Sequence, residues 1–312
     1  MALILKIFTP RLFTVVIILL MTTTLALGQA GNFRTLSGGV WGTAATWERD
    51  ADSNGSFEES PSTVSPTNSS GTIEIRSGHV VTVAANVSVD QVTIRSGGEL
   101  SVNSTRTLSI TSAAAITVDA GGLLTVNGII NYGTPFPPKS IIVNGTMDNN
   151  GTNTGASSSK LIFGSGAAYN HLFTDGGTIP NASWDSNSTM SITGLGAGAV
   201  TLPSGFNQTF GHFVWNTPAF DGFLDLQGNP ASITGDFRVI DTGIGAFVYN
   251  FTGGNNTFSI GGDFDISGGF FAFSAFLGSS GTLNINTSLT AGKGLKISGG
   301  YTQLADDDDM TI

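Results

Sequence analysis

The sequence predicts an all-β chain wound as a right-handed parallel β-helix, a β-solenoid with an aromatic cap at its N-terminal side. Three observations carry that expectation. The phrase IEIRSGHVVTV at residues 73–83 returns as VTIRSGGELSV at residues 92–102, and return at a period of about 20 residues marks a stacked unit. Apolar and polar residues alternate within it, so Val81, Val83, Leu100 and Val102 share one side while Thr82 and Ser101 share the other. Gly is abundant, 43 of 312 residues, yet it punctuates regular Val, Ile, Leu and Phe runs instead of forming disordered tracts.

Aligned on the aliphatic residue three before a Gly, the units fall at Ile75, Ile94, Val118, Ile142 and Leu161, with spacings of 19, 24, 24 and 19. Three short strands and their turns fit one such coil, each strand pairing with its counterpart in the next. The alternative is an antiparallel β-sandwich, favoured by the two-residue hairpin signals Asn127-Gly128 and Asn144-Gly145.

Residues 1–28 read as a signal peptide. Lys6 and Arg11 give a positive start, residues 12–21 are an almost unbroken apolar run, and Ala26 and Gly28 are small residues at the positions a signal peptidase reads. The apolar run is shorter than the ~20 residues a spanning helix needs. Secretion, or display at the cell surface without a membrane span after cleavage, follows. Residues 29–72 form the cap and a linker. Trp41 and Trp47 suit the cover of a solenoid's open end; a sugar-stacking platform is the functional alternative.

Asp50, Asp52 and Asn54, followed by Gly55, match the opening of a calcium loop and are the candidate metal ligands. Pro61 occupies the twelfth position, where an EF-hand carries Glu, although Glu58 and Glu59 lie nearby. A polar surface turn is the alternative.

Residues 73–165 hold the regular coils. Three prolines between Tyr132 and Lys139 predict a loop there, since they remove ladder donors. Residues 166–230 are irregular coils or a boundary. Residues 231–312 carry a second, longer repeat: ITGDFRVIDTG at 233–243, IGGDFDISGG at 260–269, and looser returns at 285–292 and 295–301. Phe270, Phe271, Phe273 and Phe276 read as a core stack, with a binding stripe as the alternative. The acidic run at residues 306–309 reads as a solvated turn, with a cation site as the alternative.

The net charge of −10, with 12 Lys and Arg against 22 Asp and Glu, gives no electrostatic footprint for nucleic acid. The absence of Cys means that an exported fold must hold without disulfides. His79, His171 and His212 lack metal-ligand spacing, and no nucleophile elbow or phosphate loop is present. Arg76 and Arg95 hold equivalent positions in the repeated phrase. They are the candidates for an exposed basic column, opposite Glu74 and Glu99, that binds an acidic extracellular glycan.

The order of leader, Trp41, Thr46, Trp47, a Pro-containing linker, then Ile73, Ile75, Gly78, His79, Val81 and Val83, followed by Ile94, Gly97, Gly98 and Leu100, resembles the N-terminal part of large exported Bacteroidetes surface proteins. The Gly-Asp-Phe phrase ending at Gly269 is similar to their repeats, and the first coils are more distantly similar to the G8-type β-rich module. The resemblance implies the type IX secretion route, although no sorting domain is recognisable. The expected function is a non-catalytic, adhesin-like surface solenoid with glycan or cell-surface components as partners. The alternative is a carbohydrate-active β-helix enzyme, a polysaccharide lyase or glycoside hydrolase.

Overall fold

A computed structural model describes residues 31–111, 116–133, 140–230, 232–250, 257–274, 281–285, 294–303 and 310–311. The signal segment, the three prolines of the expected loop, Phe276 and the acidic run at 306–309 lie outside the described residues. The chain is a β-solenoid. Short strands turn three corners per coil and pair in parallel with the coils before and after.

The first coil shows the logic. Thr72–Ile75, Val80–Val83 and Val87–Val89 occupy three successive faces, and the next coil stacks Gln91–Ile94, Glu99–Val102 and Thr107–Ile110 on them. Alternation puts Ile73, Ile75, Val81 and Val83 inside, where they are buried, against Val92, Ile94, Leu100 and Val102. Full burial of one such aliphatic side chain stabilises by about 1.5–3 kcal/mol. The sandwich alternative is thereby overturned. Among the described residues, antiparallel pairing is confined to the cap, between Asn32–Thr35 and Trp47–Asp50 and at the Arg49–Glu59 bridge.

The hairpin signals turn out to be corners. Asn127-Gly128 joins Leu123–Val126 to Ile129–Asn131, and both strands stack in parallel on the coil before. Asn144-Gly145 likewise shortens the corner after Ile141–Val143 to two residues, where the first coils use four (Arg76 to His79). That shortening defeats an alignment anchored on Gly. The true register pairs Val118 with Val143 and Val143 with Phe163, so the spacings are 19, 24, 25 and 20. Ile142 therefore points outward and is half-buried, because a slip of one residue reverses the face.

The four-residue corners need Gly for conformation, with φ of 78° at Gly78, 75° at Gly97 and 81° at Gly121. The two-residue corners need it for space. A Cβ on Gly128 would collide with the carbonyl oxygens of Asn103 and Arg106 in the coil before.

The Gly-Asp-Phe phrase of the second repeat is a coil-to-coil staple. Asp236 accepts the Asp263 amide at 2.9 Å, 27 residues on, and Asp263 accepts the Gly294 amide at 2.9 Å. His212 stands at the same position one coil earlier and accepts the Asp236 amide through Nδ1 at 2.9 Å. The following Phe residues line the interior, with Phe237 and Phe264 stacked at 5.1 Å. Phe271 and Phe273 are buried and Phe270 is half-exposed, so the core reading holds for the first two.

At the N-terminal side, Trp41 and Trp47 pack edge-on at 5.1 Å and are 3% and 0% exposed. Their indole N–H groups donate to the Pro66 and Trp41 carbonyls. They are a cap, and their burial overturns the sugar-platform alternative.

One face, beginning at Gly39–Val40, runs through eleven strands to Leu295–Ile297. The others are interrupted. The first face's ladder ends at Ser183–Trp184 and a new one begins at Ser232–Ile233; the third ends at Thr152–Thr154 and resumes at Phe223–Asp225. Between these limits lies a seam.

Gly128→Ala is expected to destabilise by about 1–3 kcal/mol, because backbone of the adjacent coil must move. Gly42→Ala, with nothing within 4 Å of its Cβ, should stay within about 0.5 kcal/mol. Thermal melts of the two variants check this; equal losses would contradict the close-approach assignment.

Candidate functional site

The acidic loop follows strand Trp47–Asp50. Asp50 is buried, and its carboxylate accepts the Asn54 amide at 3.0 Å, the Gly55 amide at 2.9 Å and the Asn32 side chain at 3.3 Å. Burial pushes its pKa up, but these donors together outweigh burial and hold it below the ordinary value. Asn54 does not turn its oxygen to the same point. Its Oδ1 accepts the Ser56 amide at 2.8 Å, while its Nδ2 donates to Asp52 at 2.9 Å. Glu58 takes the third place instead, and ligand oxygens of Asp50, Asp52 and Glu58 lie within 4.8 Å of one another. Glu59 is drawn away to Arg49 at 3.3 Å.

The two arginines of the repeated phrase do not form a free basic column. Arg76 is tied to the cap: its Nε donates to the Thr35 carbonyl at 2.6 Å, and its guanidinium lies 3.6 Å from Glu48. His79 at the same corner places Nδ1 2.7 Å from the Thr35 hydroxyl. Arg95 bridges three coils, at 2.7 Å from Glu74 and 3.2 Å from Asp119. These carboxylates raise its pKa further. Glu99 faces elsewhere and accepts the Thr125 hydroxyl at 2.8 Å.

Inside the stack runs a polar chain that no spacing in the sequence announces. Tyr132 donates to Asn153 Oδ1 (3.3 Å), Asn153 Nδ2 to Asn149 Oδ1 (3.0 Å), and Asn149 Nδ2 to the Tyr169 hydroxyl (3.0 Å). Tyr169 lies 3.3 Å from His171 Nδ1, and His171 Nε2 lies 2.8 Å from the Gly176 carbonyl. A carbonyl only accepts, so Nε2 carries the proton and Nδ1 accepts from Tyr169. His171 packs against Asn149, Ile192 and the Phe173 ring, none of them charged. Burial holds its pKa below the ordinary value, and against it the Gly176 contact acts in the opposite sense.

A recess with distinctive chemistry lies at the seam. Leu202, Pro203, Ser204, Gly205, Phe206 and Asn207 of one coil face Gln227 and Asn229 of the next across a hollow of about 420 Å³. Its walls are pinned. Gln208 accepts from the Ala182 amide and the Trp184 indole, and donates to the Pro180 and Gly205 carbonyls. No charged side chain lines it. Its residues come from segments 20 or more positions apart, without a motif, and only the blurring of the repeat marked the region.

Comparison with protein families, curated proteins and solved structures finds no match for the chain.

The buried neutral His171 sets a pH dependence. Its folded pKa lies below the unfolded value of about 6.5, so the unfolded state binds more protons in that interval. Stability is full above pH ~6.5 and falls as pH drops through it. Carboxylates with lowered pKa, such as Asp175 and Asp236, act only lower, as pH falls through about 4. Melting temperature should therefore decline between about pH 7 and pH 5, and His171→Gln should flatten that decline. An unchanged slope in the variant would remove His171 as its source.

Proposed function

We propose that the chain is an exported, non-catalytic β-solenoid acting as an adhesin-like or structural element at a cell surface. The observation supporting this reading is the employment of its carboxylates. Asp175 accepts the Val200 and Thr201 amides, Asp221 the Gly198 amide, and Asp148 the Asn170 side chain, each across 22 or more residues. Asp236, Asp263, Glu74 and Asp119 are likewise engaged by neighbouring coils. Hydrolysis of a glycosidic bond needs two carboxyl groups facing each other across a cleft. These carboxylates hold coils together, and the seam hollow has none. The enzyme alternative lacks an observation in its favour.

Export rests on the leader in residues 1–28. Among the described residues, no helix is long and apolar enough to cross a membrane. For an acidic glycan, Arg95 is the retained contact. It is exposed, whereas Arg76 is committed to the cap. A glycan anion there exchanges with Glu74 and Asp119, surface pairs that contribute at most about 1 kcal/mol each.

A second reading concerns calcium at Asp50, Asp52 and Glu58. The convergence of three carboxylates supports it, since hard cations take oxygen ligands. Asn54 serves that site by holding Asp52, not as a ligand.

In the native host, fractionation should find the protein outside the cell or on its surface, with a mature N-terminus near Gln29. A cytoplasmic, uncleaved chain would overturn the export reading, and release of unsaturated or reducing sugars from a polysaccharide panel would overturn the non-catalytic one. Calcium at a hundred times its Kd should stabilise by about 2.7 kcal/mol. Raised melting temperature in the parent and none in Asp52→Asn is expected; no response in either removes the calcium reading.

A further inference from the structure

We propose that the seam hollow, together with the exposed ring of Phe223, binds an uncharged oligosaccharide. The inference deepens the surface-solenoid reading by naming a ligand class and a place, and it rests on that reading only for the biological setting.

The hollow has the composition of a polyol site. Phe206, 4% exposed, and Pro203 give it an apolar floor, with Leu202 half-buried beside them. Its polar groups are neutral. Asn207 and Gln227 are exposed, and their side-chain amides are not engaged in hydrogen bonds among the described residues. Asn229 donates through Nδ2 to the Gln227 carbonyl at 3.1 Å and keeps its oxygen as an acceptor. Primary amides offer two donors and an acceptor that accepts twice. They match the hydroxyl groups of a sugar, each of which donates once and accepts twice. A few such groups over an apolar base fix orientation in small-molecule sites generally.

Charge decides against an anionic ligand at this place. The nearest carboxylates on the Gln227 coil are turned to backbone: Asp221 accepts the Gly198 amide at 2.6 Å and Asp225 the Gln227 amide at 2.8 Å. No Lys or Arg lines the hollow to pair with a uronate or sulfate. An anion would therefore enter without compensation and lose its hydration.

Phe223 extends the site. The burial alternation from Phe223 to Gln227 places both residues on the outer side of one segment, with Leu224 and Leu226 inside. Strand Phe223–Asp225 leads into the turn at Gln227, and four residues span at most about 13 Å, within the reach of a short oligosaccharide. Phe223 is 64% exposed and Val200, two residues before the hollow-lining Leu202, is 78% exposed. On a surface otherwise rich in Ser, Thr and Asn, an exposed aromatic ring offers the C–H face of a pyranose a flat apolar partner.

The walls are held before any ligand arrives. Ser204 donates its amide to the Gly177 carbonyl at 2.9 Å, Gln208 ties Gly205 to Pro180, and the Asn229 amide donates to Leu226 at 2.9 Å. A pre-formed hollow avoids the ordering cost that weakens binding by mobile loops.

The test is calorimetric titration of the full chain with cellotetraose, laminaritetraose, xylotetraose and mannotetraose, and with trigalacturonate as the charged control. At least one uncharged oligomer should bind at the hollow, and any binding of the uronate, whose contact would be Arg95, should not depend on Phe223 or Gln227. Phe223→Ala and Gln227→Ala should each weaken binding roughly tenfold, the loss of about 1.4 kcal/mol, with melting temperature close to the parent's. Val80→Ala, at an exposed position in the first coils, should leave it unaltered. Binding of the uronate alone, equal binding by the variants, or no binding of any uncharged oligomer at millimolar concentration would each overturn the proposal. Localisation is measured separately, so a cytoplasmic protein that binds these sugars sinks the export reading and leaves the site standing.

Discussion

Everything in this molecule answers to one constraint: each coil must satisfy its backbone through the coils on either side, in register and in parallel. A buried amide or carbonyl without a partner costs free energy comparable to a lost hydrogen bond, so the ladders admit little drift. The corners carry the burden. Where the chain turns in four residues, Gly78, Gly97 and Gly121 supply a left-handed bend. Where it turns in two, Gly128 and Gly145 let the backbones of adjacent coils approach until only hydrogen fits between them. Side chains at corners take up the remaining donors, as Asp236 and Asp263 do for the next coil's amides.

The interior changes character along the axis, and the later coils are longer. From Ile75 to Ile94 a coil takes 19 residues; from Phe237 to Phe264 it takes 27, and from Phe264 to Leu295 it takes 31. The change of filling does not follow coil length, since the step from Val143 to Phe163 takes only 20 residues. Val, Ile and Leu fill the first coils, whereas from Phe163 onward the core is a connected run of rings through Trp184, Phe210, Phe213 and Phe237. The His171 chain sits near this transition and fills core volume with paired polar groups where the aliphatic columns give out.

What was legible in the sequence was what repeats locally. The strands of the IRSG coils, the recurrence of the Gly-Asp-Phe phrase and the covering role of Trp41 and Trp47 all follow from alternation, spacing and residue type, whereas the phrase's stapling of coils shows only in the structure. The register at Ile142 did not, because a Gly anchor cannot report that its corner has lost two residues, and at Leu161 the anchor fell on Gly164 where the left-handed Gly of the four-residue corner is Gly166. Asn-Gly was misleading for the same reason: the dipeptide encodes a tight turn and says nothing of whether the strands it joins pair with each other or with their predecessors. Arg76 and Arg95 are equivalent in sequence and different in structure, since one abuts the cap and the other has a coil on each side. Asn54 turns its Oδ1 to the Ser56 amide, and the carboxylates that converge are those of Asp50, Asp52 and Glu58, a direction of side chains that spacing does not report. The seam hollow depends on which segments, 20 or more residues apart, come to face each other, and no local pattern encodes that.

The unequal continuity of the faces gives the stack a mechanical grain. Ladder hydrogen bonds lie along the solenoid axis, so tension applied end to end is shared by the faces wherever all three are paired. Between Thr189–Ile192 and His212–Asn216, the eleven-stranded face is the sole regular ladder that crosses among the described residues. Traction on an anchored molecule would concentrate there, on four paired positions and the side-chain ties of Gln208. Such a rod would yield first at its middle, as two stiff segments joined by one seam.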